Sequence, residues 1–353
     1  MSSTKNRKKD HLTLCATGDV AYREKTTLLE QVEIVHRATT QLSLDAIDIG
    51  TTLAGNELAA PLWIGAMTGG ADGTDTFNRE LAAIASQLGI GFCLGSIKPL
   101  LRDKSRKKDF DVRKEAAGIP LMANIGATEI SARGPEPVLE AARSIGADGI
   151  GVHLNPLMEL IQPGGDTDFG GILDGIAALA SSAGDDMVVF VKETGAGLSW
   201  QDGQNLKEAG IRTVEVAGAG GTSWTGVEAS RSSGRDARLG QQLWDWGIPT
   251  AVSTAWMVDC ELEVVASGGV RTGLDVARCL AMGAAIAGIA TPIAAAMDRG
   301  GGPAAKELLE DVIAGLRYVM LACGASDIES LRRVPRVLGP ELARWIETGW
   351  SSR

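Results

Sequence analysis

At 353 residues, the chain is long enough for one large α/β barrel or two ordinary domains. A hydrophobic share of 44% excludes disorder as the global state, and 45 glycines without a G-X-Y period exclude collagen. A formal charge of −10 excludes a nucleic-acid protein held by a general basic field. Five widely spaced cysteines without a C-x-x-C indicate neither a disulfide framework nor a cysteine zinc site. The basic N-terminus lacks a following apolar stretch, and no run approaches the ~18 apolar residues of a membrane span. The expectation is a soluble, cytoplasmic protein.

Residues 1–60 form a preamble without repeating pattern, opening on the basic segment Arg7-Lys8-Lys9-Asp10-His11. From residue 60 onward, short apolar runs alternate with helical stretches. Strands are predicted at 62–66, 91–94, 121–125, 149–154, 188–192, 213–217, 263–266 and 284–289. Helices are predicted at 78–87, 135–144, 204–209 and 273–282 among others. The strand runs are apolar on both faces, as strands of a doubly covered parallel sheet should be. Eight strands with about seven intervening helices over ~230 residues match a (β/α)8 TIM barrel, with a doubly wound sheet as the rival. Residues 301–353 read as one or two closing helices. The reading is a single barrel domain over 1–353, with 1–60 an N-terminal extension and 301–353 C-terminal helices.

In such a barrel, function sits where strands end at their C-terminal edge. Ser267-Gly268-Gly269-Val270-Arg271 follows the seventh strand, and Ala287-Gly288-Ile289-Ala290-Thr291 ends the eighth. Small residues there let backbone N–H groups and a helix N-terminus approach phosphate oxygens. Tight strand–helix packing also wants glycine, but the joint occurrence favours phosphate. Gly218-Ala219-Gly220-Gly221-Thr222 beside them adds close backbone approach and a hydroxyl. Lys192 ends a buried run, where an ammonium is costly unless an anion, a covalent adduct or a cofactor's negative charge meets it. The bland alternative is a surface-reaching Lys paired with Glu193. His153-Leu154-Asn155 leaves the fourth strand, and Glu159 behind it offers a carboxylate for Mg²⁺. The segment 98–115 holds eight basic and four acidic side chains, and with the N-terminal segment it makes two candidate arms of a diphosphate clamp.

Taken in order, these motifs resemble the type 2 isopentenyl-diphosphate isomerases, which are FMN-dependent barrel enzymes. The most specific pieces are Arg7-Lys8-x-x-His11, Ala66-Met67-Thr68-Gly69-Gly70, Ala123-Asn124-Ile125-Gly126, His153-Leu154-Asn155, Val191-Lys192-Glu193-Thr194-Gly195, Gly220-Gly221-Thr222 and Ser267-Gly268-Gly269-Val270-Arg271. The resemblance implies an isomerase that shifts the double bond of an isopentenyl-type diphosphate. It implies FMN contacts at Ala66, Met67, Thr68, Ser96, Asn124, Lys192 and Thr222, with the FMN phosphate on Gly269, Arg271, Ala290 and Thr291. The substrate diphosphate would meet Arg7, Lys8, His11, Lys98, His153 and Asn155, with Mg²⁺ on Glu159. NAD(P)H would supply the reductant, and the family's habit implies a homotetramer or octamer.

The sequence departs from the family pattern at four places. Met158 stands where the family has Gln close to the isoprenoid carbons, and methionine cannot relay a proton. Ser96-Ile97-Lys98 replaces Ser-Gln-Arg, Ala219 replaces an Arg, and Gly164 replaces a Glu. The expectation is therefore retained FMN and diphosphate binding with a modified or bulkier prenyl substrate. The alternatives are an FMN-dependent reductase or desaturase acting on an isoprenoid phosphate, or a binding module without turnover. A hydroxy-acid oxidase fits less well, because such enzymes place a His near the strand 7 loop and no His follows His153.

Overall fold

The computed structural model describes residues 10, 11, 13–15, 20–70 and 73–351, the last three as backbone only. Eight parallel strands close into a barrel: β1 (Leu62–Ile64), β2 (Gly91–Ser96), β3 (Leu121–Gly126), β4 (Gly149–His153), β5 (Val188–Lys192), β6 (Thr213–Glu215), β7 (Glu263–Ser267) and β8 (Ile286–Ile289). Closure comes from β8 pairing with β1, Ala287 opposite Leu62 and Ile289 opposite Ile64. All eight predicted strands are present, and the barrel replaces the doubly wound rival. Their runs lack alternation because one face meets the outer helices and the other meets the barrel interior.

The interior is filled from the bottom upward. Trp63 and Phe190 stack with ring centroids 5.0 Å apart, among Cys93, Met122, Val265 and Ile286. A hairpin of Thr51–Leu53 and Asn56–Leu58 plugs the lower end with Leu53 and Leu58, and Glu263 accepts from the Ala54 N–H at its turn. Above the aromatic layer the inward positions become small or polar: Gly65, Ser96, Asn124, Lys192, Glu215, Ser267 and Gly288. That change of composition opens the upper end of the barrel.

Outer helices cover the sheet through amphipathic faces. Pro135–Ser144 forms as read from the sequence. The predicted helix at 204–209 instead spans Trp200–Glu208, because Ser199 and Asp202 form a capping box that starts it earlier. The C-terminal part differs more. Helix Thr291–Cys323 breaks at Gly300 and Gly301, and Ile328–Arg333, a strand Arg336–Leu338 and Pro340–Ser351 follow. Thus more than two helical segments follow β8, and the strand among them pairs antiparallel with Val32–Ile34 of the preamble. This non-local pairing of two three-residue strands leaves almost no local signal. Among the described residues, no helix is long and apolar enough to cross a membrane.

Candidate active site

The upper end of the barrel holds a cavity of about 450 Å³. Among the sequence-derived candidates, His11, Ala66, Met67, Lys192, Thr222, Gly269, Arg271, Ala290 and Thr291 line it together. Arg7 and Lys8 lie outside the described residues.

One wall is made of backbone. Gly221 packs so tightly on the β7 loop that an added Cβ would lie 2.5 Å from Gly269 N. Gly268 has φ +96°, and a Cβ there would overlap Gly218 O. Ala217, at the edge of the cavity, keeps a left-handed φ of +39° despite its methyl group. The Thr222 and Thr291 hydroxyls meet at 2.7 Å, joining the β6 loop to the start of helix Thr291–Cys323. Arg271 Nη1 donates to Gly269 O at 2.9 Å, which draws the guanidinium back over the same loop. Glycine N–H groups, a helix start and a guanidinium therefore converge, a donor set for phosphate oxygens.

The floor carries charge. Lys192 is 7% exposed, and its Nζ donates to the Glu193 carbonyl at 2.5 Å rather than to the Glu193 carboxylate. The Glu193 side chain turns away and accepts from the backbone N–H groups of Gly195, Ala196 and Gly197. Burial raises the Glu193 pKa to about 7, with the backbone N–H groups of Ala196, Gly195 and Thr194 and the Lys192 charge working against the rise. Lys192 is thus a buried cavity residue, and the surface ion pair with Glu193 does not form. Glu215 was missed by sequence reasoning, although it carried the same signal as Lys192: a charge inside an apolar strand. It is 3% exposed and accepts from Ser267 Oγ at 2.8 Å.

The N-terminal segment reaches this cavity through His11. Its Nε2 lies 2.6 Å from Glu228 Oε1, and its ring meets Trp224 edge-on at 5.1 Å. Glu228 is fully buried and also receives Arg231 Nη1 at 2.7 Å. Neither Glu228 nor Trp224 stood out in the sequence, because their roles arise only once the preamble folds back over the barrel.

The remaining candidates sit at or after the ends of β1, β2, β3 and β4, beside the cavity rather than in its lining. Ser96 pairs in register with Asn124, and Asn124 Oδ1 lies 2.7 Å from His153 Nδ1. Thr68 is buried, and its Oγ1 has no partner. Lys98 Nζ meets Glu129 at 2.5 Å. Asn155 Nδ2 donates to Glu159 Oε1 at 2.9 Å and lies 3.8 Å from Met158 Sδ. Glu159 Oε2 accepts from Gln162 Nε2 and Asp166 N, both at 2.9 Å.

The second basic island is partly taken up by ion pairs. Lys104 pairs with Glu140, Arg106 with Asp109, Arg113 with Asp148, and Lys98 and Arg102 both with Glu129. Five of its eight cations are thus paired, four of them with carboxylates outside the island, which a local charge count misses.

A family model described as FMN-dependent dehydrogenase matches residues 186–336, the part that carries β5 to β8. The isopentenyl-diphosphate delta-isomerase of Methanothermobacter thermautotrophicus is 41% identical over 343 residues, covering 97% of this chain and 95% of that protein. The protein of the same name from Synechococcus sp. is 40% identical, covering 96% of this chain and 97% of its own. A solved mandelate oxidase with (S)-2-phenylpropionate superposes with a TM-score of 0.64 at 16% identity, covering 95% of this chain and 98% of that one. At that identity the structural likeness shows the barrel fold alone.

Proposed function

The chain belongs to the FMN-dependent, type 2 isopentenyl-diphosphate delta-isomerase family, and from that premise we propose that it moves the double bond of isopentenyl diphosphate, or of a bulkier prenyl diphosphate, to the allylic position. The proposed step is a 1,3-proton shift with reduced FMN and Mg²⁺, and it leaves no net redox change. The observation that carries the reading is the buried Lys192 ammonium on the floor of a cavity whose facing loops are glycine backbone.

The residues present fit a flavin mononucleotide. Interlocked glycines leave N–H groups where side chains would block approach, and the buried Thr68 Oγ1 and Glu215 Oε2 lack partners. Bound there, FMN would supply an electron-rich ring able to take up and release a proton beside the substrate. Gly269, Arg271, Ala290 and Thr291 would hold its phosphate. Ala66, Met67, Thr68, Ser96, Asn124 and Thr222 would fix its ring and polar edges. Lys192, bonded to a carbonyl and to no carboxylate at contact distance among the described residues, would offset the negative charge of the reduced ring.

On the substrate side, His11, Lys98, His153 and Asn155, with Arg7 and Lys8, are the proposed diphosphate contacts. Glu159 is the proposed Mg²⁺ ligand. Its oxygens receive only neutral amide donors and form no ion pair among the described residues, so its charge stays available. Mg²⁺ typically takes one or two carboxylates and completes its shell with phosphate oxygens and water. Met158 adds apolar surface beside Asn155 where the family holds an amide, which supports the bulkier substrate. The same reading takes NAD(P)H as reductant and expects a cytoplasmic homo-oligomer.

The test is purified protein with FMN, Mg²⁺ and a reductant, given a panel of prenyl diphosphates. Allylic product with only catalytic consumption of NAD(P)H is expected. Stoichiometric NAD(P)H consumption would replace the isomerase with a reductase.

A further inference from the structure

Glu215 occupies the cavity floor for reasons the sequence supplies. It points inward from β6 toward Gly65, which follows β1. A Cβ at Gly65 would lie 3.8 Å from Glu215 Oε1, and one at Gly288 would crowd Ser267 and Trp63. Ser267 anchors one carboxylate oxygen at 2.8 Å, while Oε2 is buried, lines the cavity residue set and has no partner. Glu215 is also the register partner of Lys192 on β5, so both side chains enter the barrel at one level. Lys192 Nζ spends one of its three donors on the Glu193 carbonyl. The two side chains form no ion pair at contact distance, but they face the same low-dielectric interior from adjacent strands, where opposite charges interact beyond contact.

We propose that Glu215 is a positioning residue that acts through Lys192, its carboxylate offsetting part of the ammonium's charge across the adjacent strand, so that the pair sets the balance between oxidised and reduced cofactor. The inference rests on the flavin reading of this cavity. A negative charge in the flavin cavity would oppose reduction, and removing it would leave Lys192 to favour the anionic reduced form.

The experiment measures the midpoint potential of bound FMN in the reconstituted holoprotein for the wild type, Glu215→Gln and Glu215→Asp. Glu215→Gln should favour reduced over oxidised FMN about tenfold more than the wild type, a rise of ~30 mV for a two-electron couple. Glu215→Asp keeps the charge and should restore the wild-type balance to within about threefold. Glu215→Ala, also neutral, predicts the same rise and serves if the Gln variant does not fold. An unmoved potential in the neutral variants, or an equal rise in Glu215→Asp, overturns the proposal while leaving FMN binding intact. A wild-type protein that takes up no FMN overturns the flavin reading and this inference with it.

Discussion

The loops after β6, β7 and β8 and the loops after β2, β3 and β4 face each other across the barrel mouth, and they are built differently. On the first side, Gly221 lies against Gly269, Gly268 lies against Gly218, and the shape is set by main chain. On the second side, Lys98, Asn124, His153, Asn155 and Glu159 engage partners through exchangeable side chains. A backbone-defined wall fixes one ligand shape and tolerates little substitution, because overlap there moves the chain itself. A side-chain wall can change what it binds without moving the fold. Three of the four departures from the family pattern expected from the sequence, Met158, Ile97-Lys98 and Gly164, follow β2 or β4 on the side-chain wall. Ala219 is the exception. It is fully buried, and its backbone is bonded to Ile248 O and Thr250 N, so a small residue suits the site.

The sharpest way to break this contrast is Gly268→Ala. It adds a methyl group to a left-handed residue where Gly218 O already stands. Loss of about 3–5 kcal/mol of stability and of FMN binding is expected, read by denaturant unfolding and flavin fluorescence. Wild-type stability and FMN uptake would show that the loop is not backbone-limited.

Glu193 stands at the end of β5, where the two walls meet. Its folded pKa of about 7 exceeds the ordinary carboxyl value near 4.5. Between those values the folded state holds the proton more tightly, so this group's contribution is complete below pH ~4.5 and is lost as pH rises through about 7. The contribution is on the order of 3 kcal/mol. Glu193→Gln should remove that part of the downward slope in a pH series of unfolding curves. An unchanged slope would mean that the carboxyl is not proton-bound in the fold.

On the side-chain wall the expected effects are smaller and spare the fold. Glu159→Gln should raise the Mg²⁺ concentration for half-maximal turnover by about tenfold to a hundredfold, with FMN binding unchanged. Parallel loss of FMN would show that the two walls are coupled. Met158→Gln should alter turnover a few-fold, upward on isopentenyl diphosphate if the missing amide limits proton transfer. No change on short or long prenyl chains would remove Met158 from the substrate site.

The barrel was legible in the sequence because its strands are apolar on both faces and recur with helical spacers. The pairing of Val32–Ile34 with Arg336–Leu338 was not, since it joins the two ends of the chain through three-residue strands. In the site, Lys192 and the glycine loops announced themselves by residue type. Glu215 carried an equal signal and was overlooked, because a carboxylate in a strand gains meaning only when its inward neighbours are known. Of the charges of 98–115 that read as a clamp, Lys98, Arg102, Lys104 and Arg113 are drawn into ion pairs with carboxylates on other helices and loops.

The most direct measurement is incubation of the protein with reduced FMN, Mg²⁺ and isopentenyl diphosphate in D₂O, followed by mass spectrometry of the recovered diphosphates. The account predicts dimethylallyl diphosphate and deuterium in both isomers, with no stoichiometric loss of reductant. FMN-loaded protein that yields neither allylic product nor deuterium uptake from any prenyl diphosphate tested would contradict it.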